Sequence, residues 1–291
     1  MKRLAVTVLV AAFGVASPPA HGAEATQPKN VVEHAAAGDV SANLYYLETG
    51  QPFPAGYAEF KVTITRNGKV LYYNAIDCRD CSPEGWTGAK TAKAIHIVRL
   101  APGHEPVVVV DLNTGGAHCC EISEIFPWTG TAYARVIEDW GDPGYTLTDI
   151  RLDGVKEFLT DDDRFAYEFT DYAHSSMPIE ILELAGGRLV RVTKSFPSQV
   201  RQDAANLWQG YEEEHHAHDA ARGSLAAWAA DEALLGRWRY ALDVLRKPSV
   251  IADITRDQTA GAIGTSASSF LDHLQRFLKR NGYLAPMSAT K

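Results

Sequence analysis

Past its first 22 residues, the 291-residue chain has no apolar run approaching the roughly 20 residues that a membrane-spanning helix needs. It also lacks an excess of basic charge. Its 28 lysines and arginines stand against 36 aspartates and glutamates, a formal charge of −8. That balance argues against a nucleic-acid or anionic-membrane partner and is compatible with cation binding. No His-Glu-x-x-His stretch occurs, so the zinc-protease helix is missing. Cysteine is scarce, with four in all, and the first is Cys78, too far along the chain to carry a lipid at an N-terminal processing site.

What the N-terminus does hold is a secretory signal pattern. Lys2 and Arg3 supply charge, Leu4 to Val15 an apolar run, and Ala20-His21-Gly22 a small-x-small cleavage site. Met1–Gly22 carries two basic and no acidic residues, so its loss takes the formal charge from −8 to −10 and leaves 269 residues. That length buries a core unaided. The expected compartment is the periplasm or the cell exterior. Residues 23–41, polar and alanine-rich, are expected to form a flexible leader, 42–196 a β-module and 197–291 a helical C-terminal region.

In an oxidising compartment the four cysteines are expected in disulfides. They form two pairs, Cys78-x-x-Cys81 and the adjacent Cys119-Cys120. Two bridges between the pairs would each close a loop of about 40 residues, worth roughly 4 kcal/mol. Two local bridges are the alternative, and cross-pairing is preferred. The redox spacing of Cys78 and Cys81 is followed by Ser82-Pro83-Glu84-Gly85, a loop where a catalytic thiol would need a helix N-terminus.

Strand patterns fill the middle of the chain. Glu59–Thr65 and Val70–Tyr73 flank Asn67-Gly68, which fits a type I′ turn with two positive φ values. Ala94–Leu100 and Val107–Leu112 follow, then pairs of strands around Gly130 and around Gly186-Gly187. Ile125, Gly130, Arg135 and Val136 match Ile181, Gly186, Arg191 and Val192 at an offset of 56 residues. Such a period suggests repeated antiparallel β-modules of propeller-blade type. From Pro197 the pattern turns helical, with Gly210, Gly223 and Gly236 as candidate divisions, an interruption at Pro248 and a last amphipathic helix from about Ser266 to Lys279.

The segment Asp111, Gly115-Gly116-Ala117-His118-Cys119-Cys120, Asp149-Ile150-Arg151-Leu152-Asp153-Gly154-Val155-Lys156-Glu157-Phe158, Asp163-Arg164-Phe165-Ala166-Tyr167 and Arg201-Gln202-Asp203-Ala204 carries a resemblance. From Val107 to about Ala204, the chain resembles a group of exported bacterial proteins of undefined function, related to FG-GAP (integrin-like) repeat modules. The resemblance implies a β-modular fold and an exported location, and it leaves the chemistry open. It also implies a calcium loop at Asp149, Asp153 and Glu157, but Arg151 stands where the third oxygen ligand belongs. An ion pair of Arg151 with Asp149 or Asp153 is therefore the preferred reading of that loop.

Other groupings carry weaker chemistry. Cys78, Cys81, His118 and a neighbouring cysteine have the residue types of a zinc or thiol-enzyme centre. His215, His218 and Asp219 sit at helical spacing for a divalent metal, although a solvated helix face explains them as well. Trp128, Tyr133, Trp140, Tyr145, Phe165, Tyr167, Phe169 and Tyr172 would serve either as core or as a sugar-binding platform. The sequence reads as a mainly β protein with a C-terminal helical region, exported and stapled by disulfides. Its expected role is binding an unknown envelope or extracellular ligand, or a structural one, without catalysis. A thiol- or metal-dependent enzyme at Cys78/Cys81/His118 and a calcium-binding module are the alternatives.

Overall fold

A computed structural model describes residues 27–52, 55–78, 80–85, 93–116, 120–257 and 266–284. The signal pattern of Met1–Gly22, His118 and Cys119 lie outside the described residues.

The first sheet is an antiparallel meander of β1 (Lys29–Ala37), β2 (Val40–Glu48), β3 (Tyr57–Arg66) and β4 (Lys69–Ala75). The leader expected over 23–41 is thus corrected: most of it is a strand, paired with β2 from Lys29 opposite Glu48 to Ala37 opposite Val40. Alanine-rich sequence hides the strand, because its ordering comes from distant partners. Glu33 accepts hydrogen bonds from the N–H groups of Ala94 (2.7 Å) and Ile95 (3.4 Å). The β3–β4 turn has the expected backbone, with φ of +50° at Asn67 and +75° at Gly68.

The second sheet contains β5 (Ser82–Pro83), β6 (Ile95–Val98), β7 (Val107–Asn113), β8 (Glu121–Phe126) and β9 (Val136–Gly141), with β5 and β6 both pairing with β7. The third is the meander β10 (Thr146–Thr148), β11 (Glu157–Asp161), β12 (Ile179–Ala185) and β13 (Arg188–Arg191). The second sheet is sandwiched between the others. Val108, Val110 and Leu112 of β7 join a core with Leu44, Val62 and Ile64 of the first sheet, while Val107 and Val109 join Phe158 and Leu182 of the third. Burial on both faces explains the unbroken apolar run of β7. Among the described residues, the three sheets do not close into a ring.

The 56-residue offset has a structural counterpart. Arg135 forms a two-pronged bond to Glu124 across the β8–β9 pair, and Arg191 bonds Glu180 across β12–β13. Glu124 and Glu180 are themselves 56 residues apart, and Ile125 and Ile181 beside them are both fully buried.

Five helices follow: α1 (Pro197–Ala217), α2 (Arg222–Leu234), α3 (Trp238–Leu245), α4 (Pro248–Arg256) and α5 (Ala267–Arg280). Pro197 and Pro248 occupy first turns, where a missing N–H costs nothing. Gly210 and Gly223 lie inside helices and divide nothing, whereas Gly236, at φ +75°, does sit at a break. Gly223 is required by packing: a Cβ there would stand 2.0 Å from the carbonyl oxygen of His174. Ser266 caps α5 by accepting from the Ser269 N–H at 3.1 Å. Phe165 and Phe169, just after the third sheet's β11, enter the helical core beside Phe270 and Phe277. Burying each ring contributes about 1.5–3 kcal/mol to holding the helices on the sheets.

Candidate functional site

Asp111 is the one acid in the apolar run of β7 and faces the third sheet, fully buried. Ser123, directly opposite on β8, donates its hydroxyl to Asp111 Oδ1. Tyr145 donates to the same carboxyl at 3.2 and 3.3 Å, and Trp140 Nε1 donates to Ser123 Oγ at 2.7 Å. His96 Nδ1 lies 3.5 Å from Asp111 Oδ2. Burial pushes the Asp111 carboxyl up to about 8 and the His96 imidazole down to about 4. Between those values both groups are neutral, so their contact is no ion pair.

Serine, histidine and aspartate together have the composition of a hydrolytic triad, but their order is wrong. A nucleophilic serine bonds the imidazole, and the carboxylate orients that imidazole from behind. Here Ser123 bonds the acid directly, is capped by Trp140 and is fully buried. The group ties β7 to β8, to the end of β9 and to Tyr145, just before β10. Its one trace in the sequence is Asp111 itself, since a lone acid in a buried strand must be neutral or paired.

The Cys78-x-x-Cys81 loop reaches this end of β7. Cys78 and Cys81 are bonded to each other, with Cα atoms 5.7 Å apart. This overturns the expected cross-pairing. The reason is local: β5 follows Cys81 at once and pairs Ser82 with Asn113 and Pro83 with Leu112, so backbone hydrogen bonds do the joining. Cys120 is also disulfide-bonded, and no free thiol occurs among the described residues. Beside Cys120 lies a pocket of about 320 Å³ lined by Glu84, Asn113, Cys120, Glu121, Asp142 and Tyr145. Burial and then the charge of Glu84 push Glu121 up to about 7.

The Asp149 loop is closed by its own backbone. Asp149 accepts from the N–H groups of Asp153 (3.0 Å) and Gly154 (2.8 Å), and Asp153 accepts from that of Val155 (2.9 Å). Arg151 does form an ion pair, but with the fully buried Glu157 and with Glu183, each at 3.0 Å, and not with Asp149 or Asp153. His215, His218 and Asp219 are not brought together. His215 Nδ1 bonds the buried Asp253 at 2.6 Å, His218 ends α1 with φ +59°, and Asp219 faces His174 at 3.2 Å. Among the described residues no group of three or more histidine, cysteine, aspartate or glutamate side chains is arranged to hold a metal ion.

The aromatic residues divide. Trp140, Tyr145 and Phe158 stack with centroids 4.6–5.5 Å apart in the core between sheets, and Phe165 and Phe169 lie in the helical core. Tyr167 is 60% exposed. A wider cleft of about 800 Å³ runs between the third sheet and the end of α5. It is bridged by charge: Asp162 accepts from Arg164 Nε and from the Tyr283 hydroxyl, both at 2.6 Å, and Lys194 Nζ donates to Gly282 O at 3.2 Å. Burial lifts Glu180 there to about 8.

Residues 200–282, spanning nearly all of the helical region, match the family described as sll0997 C-terminal domain. The chain is 30% identical over 197 residues to "Uncharacterized protein y4bJ" of Sinorhizobium fredii, a match that takes in 64% of this chain and 31% of that one. It is 27% identical over 261 residues to "Probable thylakoid lumen protein sll0997" of Synechocystis sp., covering 85% of this chain and 74% of the relative. The chain therefore spans less than a third of the length of the Sinorhizobium relative. No solved structure matches it. No described helix is long and apolar enough to cross a membrane.

Proposed function

We propose that this chain is an exported binding or structural protein of the cell envelope with no catalytic step, and that the Cys78–Cys81 loop and Cys120 belong to a structural junction. The observation that carries this reading is the state of the reactive groups there. Ser123 is spent on Asp111 and Trp140, and Cys78, Cys81 and Cys120 are all bonded. A nucleophile needs a free hydroxyl or thiol beside a base.

The blade-type, FG-GAP-related reading draws support from three antiparallel sheets in succession and from the matched Glu124–Arg135 and Glu180–Arg191 pairs. The exported location draws support from the Met1–Gly22 pattern and from the Synechocystis relative, named a probable thylakoid lumen protein. The Asp149–Glu157 loop is read as a salt-bridged turn. The test is fractionation of the full chain carrying a C-terminal tag in a Gram-negative host. The reading expects a protein shortened by its N-terminal segment and recovered from periplasm or medium. Full-length protein retained in the cytoplasm would sink it.

A further inference from the structure

We propose that His174 is a pH-sensitive clasp between the β-module and the helical region. As an imidazolium it holds the Asp171–Ser176 segment to the turn between α1 and α2, and it releases that segment when it loses its proton at alkaline pH. The clasp operates independently of what the protein binds.

His174 closes a single helical turn, Tyr172–His174, that Asp171 caps. The Asp171 carboxylate accepts the His174 backbone N–H at 3.1 Å, and the same oxygen meets the ring Nδ1 at 2.6 Å. The other ring nitrogen, Nε2, lies 3.2 Å from Oδ1 of Asp219, two residues past the end of α1. One imidazole therefore stands between two carboxylates, one from each half of the molecule. A neutral imidazole has one N–H and one lone pair, so in that state its lone pair faces an anion. Only the imidazolium turns a proton toward both. Packing sets the ring in place. A Cβ on Gly223 would stand 2.0 Å from the His174 carbonyl oxygen, so the backbone of the turn seats directly on α2. Ser176 Oγ and Ser224 Oγ, 3.1 Å apart, continue the seam, and Ser224 donates to Glu214 Oε1 at 2.7 Å.

The charges facing the ring favour its cation. Asp171 acts from its own segment, Asp219 from the α1–α2 turn, Asp257 from the end of α4 and Glu214 from α1. On α2 the charged neighbour is Arg222, whose Nε donates to the Ile254 carbonyl at 2.8 Å and which feels the charge of Asp257. The Asp171 bond leads in holding the His174 imidazole above its ordinary value, and it holds the Asp171 carboxyl below its own. A histidine raised in the folded state contributes stability that is complete below about 6.5 and is lost as pH rises through the raised value. Glu214, raised chiefly by burial, also loses stability as pH rises, so a His174 variant is needed to isolate the ring. The His174 side chain is 29% exposed, which lets its proton leave to solvent without unfolding.

The experiment follows hydrogen exchange of peptides covering residues 168–177 in the full folded protein at about pH 6 and pH 8.5, corrected for the intrinsic pH dependence of exchange. It also titrates the histidine ring protons by NMR, the His174 signal being the one absent from His174→Gln. The expected result is a His174 titration above about 6.5, moved down by Asp219→Asn. Protection of the wild-type segment should fall about tenfold between the two pH values, while His174→Gln is already weakly protected at pH 6 and changes far less. A wild-type His174 titrating at or below about 6.5 would overturn the proposal. So would wild-type protection that stays constant, or an equal loss of protection in His174→Gln and wild type. The wild-type exchange comparison decides the matter even where a variant fails to fold.

Discussion

Replacing Asp111 by asparagine should invert the ordinary expectation for removing a buried charge. Asp111 is fully buried, and burial lifts its carboxyl to about 8 against roughly 3.9 in an unfolded chain. Between those values the folded protein holds a proton that the unfolded chain has lost, so stability falls as pH rises through the window and levels off above it. From pH 5 to pH 8 the window spans three units, an upper limit of about 4 kcal/mol. Asparagine keeps an oxygen for Ser123 and Tyr145 but cannot ionise. Asp111→Asn should therefore lie within about 1 kcal/mol of wild type at pH 5 and be more stable by about 2–4 kcal/mol at pH 8. His96, depressed to about 4, loses stability as pH falls from its unfolded value of about 6.5 toward 4. That loss is common to both proteins and cancels in the comparison. Urea unfolding followed by tryptophan fluorescence is the assay, with Trp140 reporting from within the network through its bond to Ser123. Parallel pH curves for the two proteins would refute the buried neutral carboxyl.

Four further outcomes follow from the geometry. Cys78→Ser with Cys81→Ser should cost only about 2 kcal/mol in urea unfolding, because the bridge closes a very short loop. A cost near the 4 kcal/mol of a 40-residue loop would point back to cross-pairing. Arg151→Ala should destabilise by about 1–2 kcal/mol, since it strips a partly exposed cation from fully buried Glu157, which keeps the Ile150 N–H; a change indistinguishable from zero would make that pair ornamental. Millimolar calcium should leave the wild-type melting temperature where it is, because the Asp149 and Asp153 carboxylates already accept backbone N–H groups; an upward shift would restore the ion-binding loop. Gly223→Ala should cost about 2 kcal/mol or more, because the His174 carbonyl in its way is backbone and cannot rotate aside.

Local signals in the sequence read well. Asn67-Gly68 makes its turn, α5 starts at its serine cap, and the 56-residue offset leads to matched arginine–glutamate contacts. Each depends on residues close in the chain or on a repeated pattern. Long-range partners were harder to see. β1 looks like a leader because nothing in Lys29–Ala37 announces that β2 and the Ala94 segment will pair with it. Cross-pairing of the cysteines looked better because loop entropy rewards long loops, whereas β5 had already docked Cys81's neighbours on β7. Arg151 does form an ion pair, but with Glu157 at the far end of its own loop and with Glu183 of β12, whose approach the loop does not encode. The Asp111 network draws on Ser123, Trp140 and Tyr145, residues up to 34 positions away, and only Asp111 stands out in the sequence.

Peptide mass mapping of the exported protein, under non-reducing conditions with alkylation, should show a Cys78–Cys81 bridge, Cys120 in a disulfide and no alkylated thiol at these three positions. An alkylated Cys78 or Cys81, zinc held there, or a peptide joining either of them to Cys120 would contradict it. Cys78 and Cys81 would then belong to a reactive centre or a cross-linked staple.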